Sequence, residues 1–126
     1  MDGVILATVP HTGTQFFTEL LRPHLGSRLQ VMHLTDGNWQ DIKAHRGLTI
    51  TTMRDWEKTL DSWRRRGRDV RQFPDCLRYW GELLTANPVV VSIDSDRLRR
   101  LQALSTKLSI PLETDWTPVN AWSGNG

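Results

Sequence analysis

The sequence predicts an α/β fold of three layers, αβα, with helices on both sides of a parallel sheet of about four strands. Two observations predict it. Strand-like and helix-like stretches alternate along the chain, the pattern of a parallel sheet covered on both faces. The first apolar run, Val4-Ile5-Leu6-Ala7, passes through one tight turn straight into a helical pattern. At 126 residues the chain is long enough for one core and too short for two ordinary ones. Residues 1–126 are therefore expected to form a single domain, with 110–126 as an irregular tail.

Residues 3–9 read as a buried strand that stops at Pro10. Residues 14–22 carry Phe16, Phe17, Leu20 and Leu21 at helical spacing, and Pro23 is expected to end or kink that helix. Residues 29–34 form a second strand. In the Asp36-Gly37-Asn38 turn, Asp36 or Asn38 offers a cap for a short helix over 39–45, closed by Gly47. Residues 48–53 are β-branched and strand-like. Asp55 caps a helix over 56–66 whose inner face holds Trp56, Leu60 and Trp63, and the polar stretch 64–71 is its solvated end and loop. Pro74 suits the first turn of the next helix, with Leu77, Trp80, Leu83 and Leu84 as its stripe, and Asn87-Pro88 breaks it. Residues 89–93 form the clearest strand. Asp94 or Ser95 is then expected to cap a last long helix carrying Leu98, Leu101, Leu104 and Leu108. Beyond Pro111 the tail places Trp116 and Trp122 for stacking or capping.

The formal net charge is only +2, yet thirteen of the sixteen basic residues are Arg. Arg favours planar contacts with phosphate and sulfate, although a coding bias explains such a skew equally well. The near-balanced charge gives no expectation of a nucleic-acid partner. A lone cysteine, Cys76, excludes an internal disulfide and a multi-cysteine metal site and suits a reducing compartment. No apolar run approaches the roughly 20 residues of a membrane-spanning helix, and no basic leader precedes the first strand. A cytoplasmic protein without a membrane partner is expected.

The stretch Thr8-Val9-Pro10-His11-Thr12-Gly13-Thr14-Gln15-Phe16 carries the chemistry. A strand that turns tightly into a helix aims several backbone N–H groups and a helix N-terminus at one point, which suits an anion. A plain packing turn is the alternative. The loop lacks the first Gly and the Lys of the G-x-x-x-x-G-K-S/T signature of nucleotide hydrolases. Pro10-His11-Thr12-Gly13-Thr14 instead resembles the P-K/R-S-G-T loop with which sulfotransferases hold the 5′-phosphosulfate of 3′-phosphoadenosine 5′-phosphosulfate (PAPS). Met53-Arg54-Asp55 resembles the family's R-N/D-P, and Ser62 stands eight residues after Arg54, where the family has the Ser that helps the Arg grip the 3′-phosphate. Val31-Met32-His33-Leu34-Thr35 is similar to the T-H-L-P context of the family's general base, twenty-one residues before Arg54.

The resemblance covers residues 4–108 and implies a P-loop-type fold and a PAPS-dependent sulfotransferase acting on a hydroxyl or amine acceptor. It implies that His11, Thr12, Gly13, Thr14 and Gln15 hold the phosphosulfate, that Arg54 and Ser62 hold the 3′-phosphate, and that His33 is the base. A neutral imidazole can take a hydroxyl proton near pH 7, and the scheme needs no metal. His11 departs from the family by occupying the position of the loop Lys or Arg. Only when protonated could it neutralise charge on the leaving oxygen; otherwise Arg22, Arg65 or a partner subunit supplies the cation, or catalysis is absent. Trp56 replaces the family's Pro, and the C-terminal R-K-G-x-x-G-x-W segment is missing. The chain is also shorter than typical members, so the acceptor site is open, formed by residues 64–71, or completed by a second copy in a homo-oligomer. Structural alternatives remain for each residue: Arg54 pairing with Asp55 or Asp61, and His33 as a solvent-facing strand end. The alternative functions are a P-loop nucleotide or nucleoside kinase, with Asp94 as its metal carboxylate, and a non-catalytic nucleotide- or anion-binding module.

Overall fold

In the computed structural model, which describes residues 3–112, the first apolar run becomes β1 (Val4–Thr8), buried at all five positions. It lies between β2 (Leu29–His33) and β3 (Thr49–Met53), and β4 (Val89–Ser92) completes one four-stranded, all-parallel sheet in the order β2-β1-β3-β4. The helices are α1 (Thr14–Leu25), α2 (Trp39–Lys43), α3 (Trp56–Arg65), α4 (Phe73–Leu84) and α5 (Arg97–Leu108).

Strand periodicity divides the core in two. Val4 and Leu6 point to one face, where they join Phe17 and Leu21 of α1 and Leu101 and Leu104 of α5. Ile5, Ala7 and Val9 point to the other, against Ile42 of α2, Trp63 of α3 and Phe73, Cys76 and Leu83 of α4. The expected three-layer αβα arrangement follows. Among the described residues, no helix is long and apolar enough to cross a membrane.

Several local expectations are corrected. Pro23 sits inside α1 and does not end it: its missing N–H affects only the last turn, on an exposed side, while Leu25 is buried and holds that turn to the core. The second strand stops at His33 and α2 at Lys43. Asn38 makes no cap; its side chain accepts from the Thr35 N–H at 2.8 Å and donates to the His33 carbonyl at 2.9 Å. Asp55 does cap α3, accepting from the N–H groups of Glu57 and Lys58. The buried stripe of α4 is Phe73, Cys76, Tyr79 and Leu83. Its phase is set by Phe73 meeting the Trp63 ring edge-on at 5.0 Å and by Tyr79 stacking on Trp39 at 5.9 Å, which leaves Leu77 and Trp80 half-buried. Neither Asp94 nor Ser95 caps α5, which starts after Asp96 without a side-chain cap. Asp94 is engaged elsewhere, accepting from the hydroxyls of Ser92 and Ser95 and from the Asp55 N–H. Leu98, expected inside, is 52% exposed. The tail residues Trp116 and Trp122 lie outside the described residues.

The topology places one opening. From β1 the chain crosses to β2 on one side, then passes to β3 on the other, so the loops after β1 and β3 diverge at the carboxyl ends of two adjacent strands. Ligands of open α/β sheets collect at such switch points.

Candidate functional site

After Thr8 the chain turns into α1 within five residues. Two of them have left-handed backbone, His11 at φ 70° and Gly13 at φ 95°. Gly13 is required there: a Cβ would lie 2.8 Å from Ile93 Cγ2 and 3.4 Å from Phe17 Cε2. The turn is pinned on its inner side. The Thr12 hydroxyl donates to the Val9 carbonyl at 2.6 Å and shares a hydrogen bond with the Thr52 hydroxyl. The Thr14 hydroxyl donates to that of Thr8 at 2.8 Å, and Trp63 Nε1–H donates to the Pro10 carbonyl at 2.8 Å. Outside it, Thr14 and Gln15 line a cleft of about 420 Å³ with His11, Thr18, Glu19, His33 and Arg68. As the first residues of α1, their N–H groups have no carbonyl one turn back.

His11 is held at both ring nitrogens. Nδ1 lies 2.6 Å from Ser62 Oγ, and Nε2 accepts from Arg68 Nε–H at 3.0 Å. A guanidinium only donates, so Nε2 is bare, the ring is neutral, and Nδ1–H donates to Ser62. Burial, followed by the charges of Arg68, Arg66, His33 and Arg54, pushes the His11 pKa down to about 4. Of the alternatives for His11, a protonated ring at neutral pH is the one this environment disfavours.

A cation on the His11 ring is Arg68, within the stretch 64–71 read as a solvated helix end and loop and as one candidate for the acceptor site. Gly67, at φ 74°, closes α3: its N–H bonds the Arg64 carbonyl at 3.2 Å, and the Arg68 N–H bonds the Trp63 carbonyl at 3.0 Å. This Schellman closure folds Arg68 back over the helix, with its guanidinium 5.5 Å from the Trp63 ring centroid. Gly67 after a helical run ending in Arg was the available signal. Among the described residues Arg68 has no carboxylate partner. Neither proposed substitute stands here: Arg22 donates to the carbonyls of Gly26 and Leu29, at the other end of the sheet, and Arg65 lines a separate groove with Arg54, Lys58, Asp61 and Arg64.

Arg54 and Ser62 converge on one residue. Arg54 Nη1 donates to the His11 carbonyl at 3.1 Å across the switch point, and Ser62, buried, meets the His11 ring. Their eight-residue spacing therefore brackets the turn. Asp55, which caps α3, and Asp61, which pairs with Arg64 at 3.4 Å, do not take Arg54 as a partner.

His33 ends β2 in register with Thr8. It is half-buried, and its ring has no hydrogen-bond partner among the described residues. It lines the 420 Å³ cleft and also a larger one of about 650 Å³. Burial, then Arg68, lowers its pKa, so at pH 7 it is neutral and open to a proton. The kinase candidate Asp94 is occupied by Ser92, Ser95 and Asp55. No family model, curated protein or solved structure matches the chain.

Proposed function

We propose that this chain is a sulfotransferase-like domain that takes PAPS at the β1–α1 turn and passes its sulfuryl group to an acceptor hydroxyl or amine. The observation that carries the reading is the convergence of the Gly-Thr turn, the carboxylate-free Arg68 and the neutral His33 on one cleft at the carboxyl edge of a parallel sheet. An anionic phosphosulfate suits that cleft: the helix-start N–H groups of Thr14 and Gln15 and the Arg68 guanidinium are donors, and Glu19 on the same lining makes no ion pair with Arg68.

The step balances with these groups. As the acceptor oxygen bonds to sulfur, its proton passes to the ring of His33. The bond from sulfur to the bridging phosphate oxygen breaks, and its electron pair leaves with 3′-phosphoadenosine 5′-phosphate. Arg68 neutralises the charge growing on that oxygen. Arg54, on the neighbouring groove behind the turn, would reach the 3′-phosphate with the donors not used on His11. Ser62 acts through the His11 ring, as a positioning residue for the turn.

Calorimetric titration with 3′-phosphoadenosine 5′-phosphate, adenosine 5′-phosphate, GTP and ATP with Mg²⁺ tests the reading. Preference for the first is expected, together with an Arg54→Ala variant that weakens it far more than adenosine 5′-phosphate. Preference for ATP with Mg²⁺ favours a kinase, and binding to none of the four overturns both enzyme readings.

A further inference from the structure

The larger cleft, about 650 Å³, is of small-molecule size, and it shares His33 and Arg68 with the smaller one. Its lining carries two cations, Arg68 and Arg78, and two carboxylates, Asp36 and Asp75. Arg78 lies 3.6 Å from Asp75, so that pair offsets itself. Asp36 has no cation partner among the described residues; its Oδ1 accepts only the Tyr79 hydroxyl, at 3.1 Å. That hydroxyl stays a donor, since burial and then the bond to Asp36 raise its pKa. The Asp36 carboxylate is exposed, and the element that presents its partner is well anchored. The Tyr79 ring is stacked on Trp39 with only 8° between planes, and the backbone around Asp36 is tied by Asn38 to the Thr35 N–H and the His33 carbonyl. An exposed carboxylate without a cation partner among the described residues stands on a cleft lined also by Pro10, Trp63 and Tyr79, with the neutral His33 on the same lining.

Resting on the sulfotransferase-like reading, we propose that this cleft is the acceptor site and that the acceptor is a small hydroxyl compound carrying an ammonium group, bound with its ammonium on Asp36 and its hydroxyl at His33. An ammonium held by a carboxylate keeps its protons and its lone pair is unavailable, so the hydroxyl is the group that reacts. The acceptor class narrows from hydroxyl or amine to hydroxyl.

The test titrates the full chain with 4-hydroxybenzylamine, 4-methylphenol and 4-hydroxybenzoate, which present one phenol with a cationic, neutral or anionic substituent. Each titration is run with and without saturating 3′-phosphoadenosine 5′-phosphate. The amine is expected to bind about tenfold tighter than the neutral phenol, as for one charge-assisted contact, and the benzoate weakest. Asp36→Asn keeps an acceptor for Tyr79 and should erase the preference without changing nucleotide affinity. Equal affinity for the three phenols, no binding of any, or an unchanged preference in Asp36→Asn overturns the acceptor assignment even where the nucleotide binds. An amine preference in a protein that does not bind the nucleotide overturns the sulfotransferase-like reading instead, and leaves Asp36 as an ammonium site.

Discussion

Ser62 Oγ lies 2.6 Å from His11 Nδ1, a bond between residues 51 apart in sequence that joins α3 to the turn after β1. Because the Arg68 guanidinium fixes the other ring nitrogen as acceptor, the proton in this bond belongs to His11. Ser62→Ala therefore leaves a part-buried N–H without its partner, at a cost of about 1–3 kcal/mol. Urea denaturation reads the loss, and in a double-mutant cycle with His11→Asn the two losses should be less than additive.

The same ring sets an acid limit. An unfolded chain binds a proton at His11 below about pH 6.5, whereas the native state resists it down to about pH 4. Between those values the unfolded state holds more protons, so stability rises with pH through this window and is lost as pH falls. His33, lowered for the same leading reason, contributes with the same sign. Denaturation midpoints between pH 4.5 and 7 should show this slope, and His11→Asn should flatten it.

Arg68→Gln has two opposed consequences. Removing the guanidinium lets His11 and His33 titrate at higher pH, visible as shifted imidazole resonances in an NMR titration. On the proposed reading it also removes a charged donor to the anion, so affinity for 3′-phosphoadenosine 5′-phosphate should fall about 10- to 100-fold, the scale of a hydrogen bond to a charged group. Unmoved histidine titrations would separate Arg68 from the site.

Gly13→Ala should destabilise by roughly 2–4 kcal/mol, because a left-handed backbone and an overpacked contact with Ile93 add. Adding Ile93→Ala relieves the contact but not the backbone. The double variant should therefore show less overpacking cost and retain the conformational one, measured by thermal denaturation.

On the proposed sulfotransferase-like reading, His33→Ala should lower sulfuryl transfer by about 10²–10⁴, the usual worth of a general base, while nucleotide affinity stays within a few-fold. An active variant would remove His33 from the mechanism.

The strands, their order of appearance and the Asp55 cap were legible because each rests on neighbouring residues: apolar or β-branched runs, and a side chain reaching two or three residues on. What sequence did not reveal depends on distant partners. Asp94 looked like a cap for α5, but β4 and the loop after β3 bring the Asp55 N–H and two hydroxyls to it first. Local spacing in the helix after Pro74 points to Leu77, Trp80, Leu83 and Leu84, whereas contacts of Phe73 with Trp63 and of Tyr79 with Trp39 turn the helix to bury Phe73, Cys76, Tyr79 and Leu83. At the site, the turn, His33 and Arg54 are strand-end residues, so the alternation alone places them at one edge. Arg68 was hidden because a helix closure, rather than a strand end, delivers it, and the neutral state of His11 follows from Arg68.

Cys76, at the back of the larger cleft, is 6% exposed, with its sulfur 3.7 Å from the Leu34 carbonyl, and burial pushes its thiol pKa up to about 11. It is the chain's single cysteine, so an alkylating reagent has one target and meets almost no thiolate while α4 stays seated on the end of β2. Modification then proceeds from the fraction of molecules in which that seam has opened. The labelling rate is a built-in clock for breathing of the cleft wall, and a molecule that fills the cleft should slow it.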